Sequence, residues 1–261
     1  MRKRGLAIVA SMLGYIAVAG HAAAAPMQCT GVGRAHSWSD AVYHFLNLAF
    51  NDGRPPDMGA HLHRRTGPLE VELVGYWGGR GGMGYRAEAG LYQTRRPTGL
   101  ANRTVPKDGN VIAFRFADDE HLMARLREQV ATVSATEADA ADVIQRIGDG
   151  RLVCWMGTKN VDVDVVGKAV VYVSPGIHPH QQEMCLNQFW MGALGLAGAY
   201  RGGSRKIESV KDYHAKPLMI LMTPIDKCAL SIAYSRHFRP GMTLQEIHGL
   251  VEEKGEAILE P

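Results

Sequence analysis

The sequence predicts an α+β fold, a mixed sheet with packed helices, in one domain over residues 26–261. Residues 69–76 alternate and residues 168–173 are almost continuously apolar, as strands do. Other stretches repeat apolar residues at spacings of three and four, as helices do. Strands and helices mix in the N-terminal half. The C-terminal half is helical and organised around residues 184–196, MCLNQFWMGALGL.

Each element has its own local reason. Ser37 or Ser39 can cap a helix whose face is Val42, Phe45, Leu46 and Ala49; it ends in the turn Asn51-Asp52-Gly53 before Pro55-Pro56. After the strand at 69–76 comes a glycine-rich loop, 78–84, and a helix over 85–94 that Pro97-Thr98-Gly99 breaks. Residues 101–105 and 111–116 read as strands. Asp118 opens a helix with Leu122, Leu126, Val130 and Val133 on one face. Thr136 begins another, carrying Ala140, Val143, Ile144 and Ile147 and stopping at Gly148. Residues 151–156 and 168–173 are strands, the second a central one because its apolar run is unbroken. Pro175-Gly176 turns the chain into the focal helix, where Leu186, Phe189, Trp190, Ala193, Leu194 and Ala197 share a face. Thr223-Pro224 starts a helix expected to reach about His237. Thr243 and Glu246 form a capping box for the last one.

Composition narrows the functional classes. A chain of 261 residues with 46% hydrophobic and 21% charged residues is an ordinary folded protein. Residues 1–25 stand apart: Arg2, Lys3 and Arg4, an apolar core, then the A-x-A pattern of Ala22 to Ala25. That is the pattern of a secretory signal peptide, and it predicts a periplasmic or secreted protein. The net charge of +3 equals the three basic groups of that segment, which holds no acidic residue. The mature chain is therefore near neutral, and nucleic acid is not an expected partner. No later run is apolar long enough to span a membrane. Cys29, Cys154, Cys185 and Cys228 are even in number, which in an oxidising compartment favours two disulfides, with three possible pairings. A zinc site would want a C-x-x-C pair, and none exists.

Candidate chemistry is sparse. Gly79, Gly81 and Gly84 match G-x-G-x-x-G, but no acidic residue closes a second strand where a ribose contact belongs, so a flexible loop is the better reading. His178 and His180 could share a metal with a third ligand. His61 and His63, beside Arg64 and Arg65, read as a solvated polar turn, and His214 and His237 are isolated. Arg201, Arg205 and Lys206, with neighbouring glycines, could hold an anion or be a solvated loop. No G-x-S-x-G elbow and no H-E-x-x-H helix is present.

The focal helix carries a resemblance. Residues 185–196, CLNQFWMGALGL, resemble the C-L-x-E-E-x-x-Q-A-L-G-L helix of secreted bacterial proteins labelled domain of unknown function 2927, a family similar in outline to zincin-type metallopeptidases. Leu221 to Asp226, Ala233-Tyr234 and Arg239 to Met242 match further family pieces, over about residues 37–245. Cys154 matches the cysteine in the strand before the helix, and it lies beside the strand on which Cys185's helix should pack. The expected disulfides are therefore Cys154–Cys185 and Cys29–Cys228.

The departures define the functional expectation. Gln188 and Phe189 stand where the family is acidic, Asn187 where members carry a histidine, and Gly192 where they carry glutamine. Asn187 and Met191 also hold the four-residue spacing of zincin histidines without an imidazole. An amide cannot accept a proton from zinc-bound water, and Asn187 and Gln188 are poor zinc ligands. Asn187, Gln188 and Phe189 thus form a degenerate motif. The expectation is an exported, non-catalytic zincin-like domain without a cofactor, with a binding or envelope-structural role and an envelope protein as possible partner. The alternatives are a zinc-dependent, peptidase-like hydrolase using His178 and His180, and an anion- or small-ligand-binding module built on loops 78–84 and 201–206.

Overall fold

The computed structural model describes Cys29 and residues 37–50, 58–78, 82–196 and 222–260. The signal segment 1–25, the turn at 51–53 with Pro55-Pro56, Gly79, Gly81, the basic loop 201–206 and His214 lie outside the described residues. The chain runs α1 (Trp38–Phe50), β1 (Glu70–Gly75), α2 (Met83–Thr98), β2 (Arg103–Val105), β3 (Val111–Arg115), α3 (Glu120–Val133), α4 (Glu137–Gly148), β4 (Cys154–Asp162), β5 (Val165–Val173), α5 (Pro179–Ala193), α6 (Pro224–Ala233) and α7 (Leu244–Lys254).

The sheet is mixed, as expected. Its order is β2-β1-β3-β5-β4. The first four strands in that order are parallel, and β4 pairs antiparallel with β5. Side chains alternate between two cores. Val71, Val111, Ala113, Ala169, Val171 and Val173 join α1, α2, α5, α6 and α7 on one face. Ile112, Phe114, Val170 and Tyr172 join α3 and α4 on the other. β3 and β5 are covered on both faces, which is why they read as continuous apolar runs.

Several boundaries shift by a few residues from the sequence reading, among them the start of β2 at Arg103, the start of β5 at Val165 and the α3 cap at Asp119 in place of Asp118. Helix α2 passes Thr94 and ends at Thr98, because Pro97 falls in the last turn, where it forfeits one bond to the Gln93 carbonyl. Gly99, at φ 68°, then closes the helix with its N–H on the Arg95 carbonyl. Strand β4 begins at Cys154 rather than 151 and runs to Asp162; its outer half is polar and exposed, so only pairing with β5 marks it as strand. Helix α6 stops at Ala233 rather than near His237, and an arginine from another part of the chain takes the Ala233 carbonyl and those of Ser235 and Phe238 beyond it.

Both expected disulfides form. Cys154–Cys185 joins β4 to α5 with Cα atoms 6.2 Å apart, and Cys29–Cys228 joins the N-terminal segment to α6 at 5.3 Å. Helices α1 and α6 are also held by a hydrogen bond, His44 Nε2 donating to Asp226 Oδ1 at 2.7 Å. Burial works against the Asp226 carboxylate, but hydrogen bonds from His44 and Thr223 outweigh it and hold the group below the ordinary carboxylate range.

Two predictions follow from these links. Peptide mapping without reduction should recover both cross-links, and replacing Cys154 and Cys185 together with serine should lower the unfolding free energy by about 2–4 kcal/mol in urea titrations. Because the folded pKa of Asp226 lies below its unfolded value of about 4, its contribution is full above that value and is lost as pH falls through the folded one. Asp226→Asn should therefore flatten the acid limb of a stability–pH curve. An unchanged limb would mean that the pair with His44 does not stabilise the fold.

Candidate functional site

Helix α5 leaves β5 through Ser174, Pro175 and Gly176, and His178 caps it. The His180 N–H donates to His178 Nδ1 at 3.2 Å, and the His178 N–H donates to Gln181 Oε1 at 3.3 Å. This capping box occupies one ring nitrogen. In the neutral ring the proton then sits on Nε2, so neither nitrogen offers a lone pair to a metal without breaking the cap. His178 and His180 are adjacent in the structure, but the first of them has a structural task.

The next residues tie α5 to its surroundings. Gln182 is buried; its Oε1 accepts from Arg115 Nε at 2.8 Å, and its Nε2 donates to the Ile177 carbonyl at 2.7 Å. Glu183, also buried, pairs with Arg86 on α2. One turn further, Gly90 of α2 lies against α5 so closely that a Cβ there would sit 3.0 Å from Asn187 Oδ1 and 3.2 Å from Trp190 Nε1. Asn187 and Gln188 are half-buried. Phe189, Trp190 and Met191 are buried, at 6%, 0% and 5% exposure, and belong to the main core. Residues 187–191 therefore sit in helix packing. Among the described residues, no three histidine, cysteine, aspartate or glutamate side chains are placed to hold a metal ion.

In the segment 61–65, His61 is exposed as expected of a solvated turn, but Arg65 is buried and His63 and Arg64 are half-buried. Leu62 pairs through its backbone with Gly241 and Met242. His61 Nδ1 and His63 Nε2 donate to the two oxygens of Asp164, at 3.1 and 3.0 Å, and Asn160 Nδ2 reaches His63 Nδ1 at 3.2 Å. Asp164 is buried in the β4–β5 turn with φ 58°, a left-handed conformation that aspartate tolerates better than most residues. Arg64 Nη1 donates to the carbonyls of Ala233, Ser235 and Phe238, and its guanidinium lies 4.5 Å from the centre of the Tyr234 ring. Arg65, only 3% exposed, donates through Nε to the Ala193 carbonyl at 2.9 Å and through Nη1 to Gly167 at 3.0 Å. Burial draws the Arg65 guanidinium down to about 10. It pushes the Tyr234 phenol far up, against the opposing pull of the two arginines. The partners of both arginines are main-chain carbonyls, so residue types gave no signal for them.

The glycine-rich loop does follow β1 and lead into α2, the order a dinucleotide fingerprint requires. Only its flanks are described. The Gly84 N–H donates to the Trp77 carbonyl at 2.8 Å, and α2 has no acidic residue in its first turn.

A surface groove of about 640 Å³ lies between α2 and the edge strand β2. Tyr85 and Tyr92 rise from its helical wall, 56% and 65% exposed. Glu88 accepts from Thr104 Oγ1 across it at 3.1 Å. Arg95 stacks on the Tyr92 ring at 4.8 Å and donates to the Asn102 carbonyl. The sequence reading missed this groove. Its only trace there is two tyrosines seven residues apart on a helix whose buried face needs neither. No family model, curated protein or solved structure matches this chain.

The polar belt gives a direct test. Arg65→Ala would leave the Ala193 and Gly167 carbonyls without their donor, at a cost of about 3 kcal/mol in unfolding free energy. Arg65→Lys should recover only part of that, since one ammonium does not reproduce the guanidinium fork. Full recovery by lysine would show that charge, not geometry, is what the position needs.

Proposed function

We propose that this chain is an exported, periplasmic domain that acts by binding rather than by catalysis, a zincin-like scaffold whose motif helix has become structural. The observation that carries the reading is the packing of α5. Phe189, Trp190 and Met191 are buried, and Asn187 lies against Gly90 of α2. A general base must reach a substrate or a metal-bound water, and a carboxylate or imidazole suits that task. These positions offer two half-buried amides and three buried side chains of the core. The one carboxylate on the same stretch, Glu183, is engaged by Arg86.

Export is supported by more than the signal-like start. Two disulfides form, and among the described residues no helix is long and apolar enough to cross a membrane. Both are compatible with a periplasmic or extracellular location.

Elemental analysis of protein purified without chelators should find no stoichiometric zinc, and the same for a variant carrying His178→Ala and His180→Ala. One zinc per chain, lost with hydrolytic activity in that variant, would replace this reading with the hydrolase. Mass spectrometry of the exported protein should place the mature N-terminus between Ala24 and Met27. A species that keeps Met1 in the membrane fraction would overturn the export reading.

A further inference from the structure

We propose that the groove between α2 and β2 is a saccharide site that takes a linear, β-1,4-linked glycan, an assignment that rests on the binding role above and names its ligand class. Three features select this chemistry. Tyr85 and Tyr92 stand two helical turns apart on one face, so they are about 10 Å apart along the axis. That is the length of two β-1,4-linked sugar rings, whose C–H faces pack on aromatic rings. Both tyrosines are exposed, and Arg95 holds Tyr92 from one side while itself tied to the Asn102 carbonyl. The platform is therefore preorganised, which lowers the entropy lost on binding.

The second feature is hydrogen bonding. Gln93 lines the groove and donates through Nε2 to the Ala89 carbonyl at 3.3 Å. That bond fixes the amide's orientation, since a flip would set two acceptors together. Gln93 Oε1 is buried and has no donor among the described residues. The oxygen has no accessible surface in this conformation, so a ligand hydroxyl meets it when the half-buried Gln93 side chain turns toward the groove, and an anion offers it no donor. With Glu88 as acceptor and Arg95 as donor nearby, the lining offers both halves of the bonding that a polyhydroxylated ring requires.

The third feature argues against a peptide strand. β2 has only three residues, and the Arg103 N–H donates inward to the Leu69 carbonyl at 2.8 Å. By strand alternation, Thr104 alone directs its backbone outward, and strand addition needs a row of such groups. The Thr104 hydroxyl is moreover bridged to Glu88 on the opposite wall.

The test is calorimetric titration of the mature protein with cellotetraose, chitotetraose and the curved, α-linked maltotetraose. At least one β-linked tetrasaccharide should bind and maltotetraose should not. The double variant Tyr85→Ala/Tyr92→Ala should lose affinity about tenfold or more, while Tyr43→Ala, an exposed tyrosine on α1, should match the wild type. Both groove substitutions are at exposed positions, so circular dichroism should report an intact fold. No heat from either β-linked sugar up to about 10 mM, or equal affinity in the double variant, overturns the assignment. So does binding of an extended threonine–valine octapeptide when the sugars do not bind, which would make the groove a strand-pairing site. A zinc-free protein that fails here loses only the glycan assignment; a zinc-loaded hydrolase loses the binding role itself.

Discussion

Two consecutive guanidiniums, Arg64 and Arg65, brace the ends of the two central helices. Arg65 takes the last carbonyl of α5, and Arg64 takes the carbonyls that follow and end α6. A helix C-terminus carries unsatisfied acceptors and a partial negative charge, so a cation there meets both needs at once. Tyr234 joins the two sites: its ring lies beneath Arg64, and its hydroxyl donates to the Leu194 carbonyl at 2.9 Å. The same segment carries His61 and His63 to Asp164, so one extended stretch links α5, α6 and the β4–β5 turn. Burying two cations without carboxylate partners is costly. The structure offsets part of that cost by setting main-chain carbonyls against Arg64 Nη1 and against Arg65 Nε and Nη1, a fork that lysine does not supply; Arg64 Nε and Arg65 Nη2 stay buried without an acceptor among the described residues.

Around this brace, α5 is fixed on every side. Its start is capped by His178, its first turn is tied to β3 and α2 through Gln182 and Glu183, and its middle is bonded to β4 by a disulfide. Its end is closed by Gly195 at φ 98°, where a Cβ would collide with the His63 carbonyl. A helix so tightly held is a good scaffold for chemistry. It is an equally good structural spine, and here Gly90 permits the close crossing of α2 that Asn187 and Trp190 occupy.

The open side of the molecule lies at the other edge of the sheet. β4 closes one edge as a long antiparallel partner, whereas β2 is short and leaves the sheet beside a helix with two exposed tyrosines. Short edge strands resist pairing with other chains. A groove there can take a ligand by its side chains without inviting strand addition.

The sequence by itself determined what depends on neighbours a few residues away. The helix start at Thr223-Pro224, the capping box at Thr243/Glu246, the apolar strands β3 and β5, and the amphipathic faces of α3 and α4 all appear as read. Both expected cysteine pairings form as well, although composition left three open and the choice rested on the expected packing of the Cys185 helix beside the Cys154 strand. The tertiary structure alone decided three things. The polar half of β4 is strand only because β5 supplies partners. Glu183 is an ion-paired core residue only because Arg86, 97 positions away, lies across the α2–α5 contact. His63, Arg64 and Arg65 look solvated in the sequence, yet they are half-buried or buried, with backbone carbonyls and one distant aspartate as their chief partners, while His61 stays exposed at the end of the segment. Every residue carries a carbonyl, so a bond to one leaves no mark in the pattern of residue types.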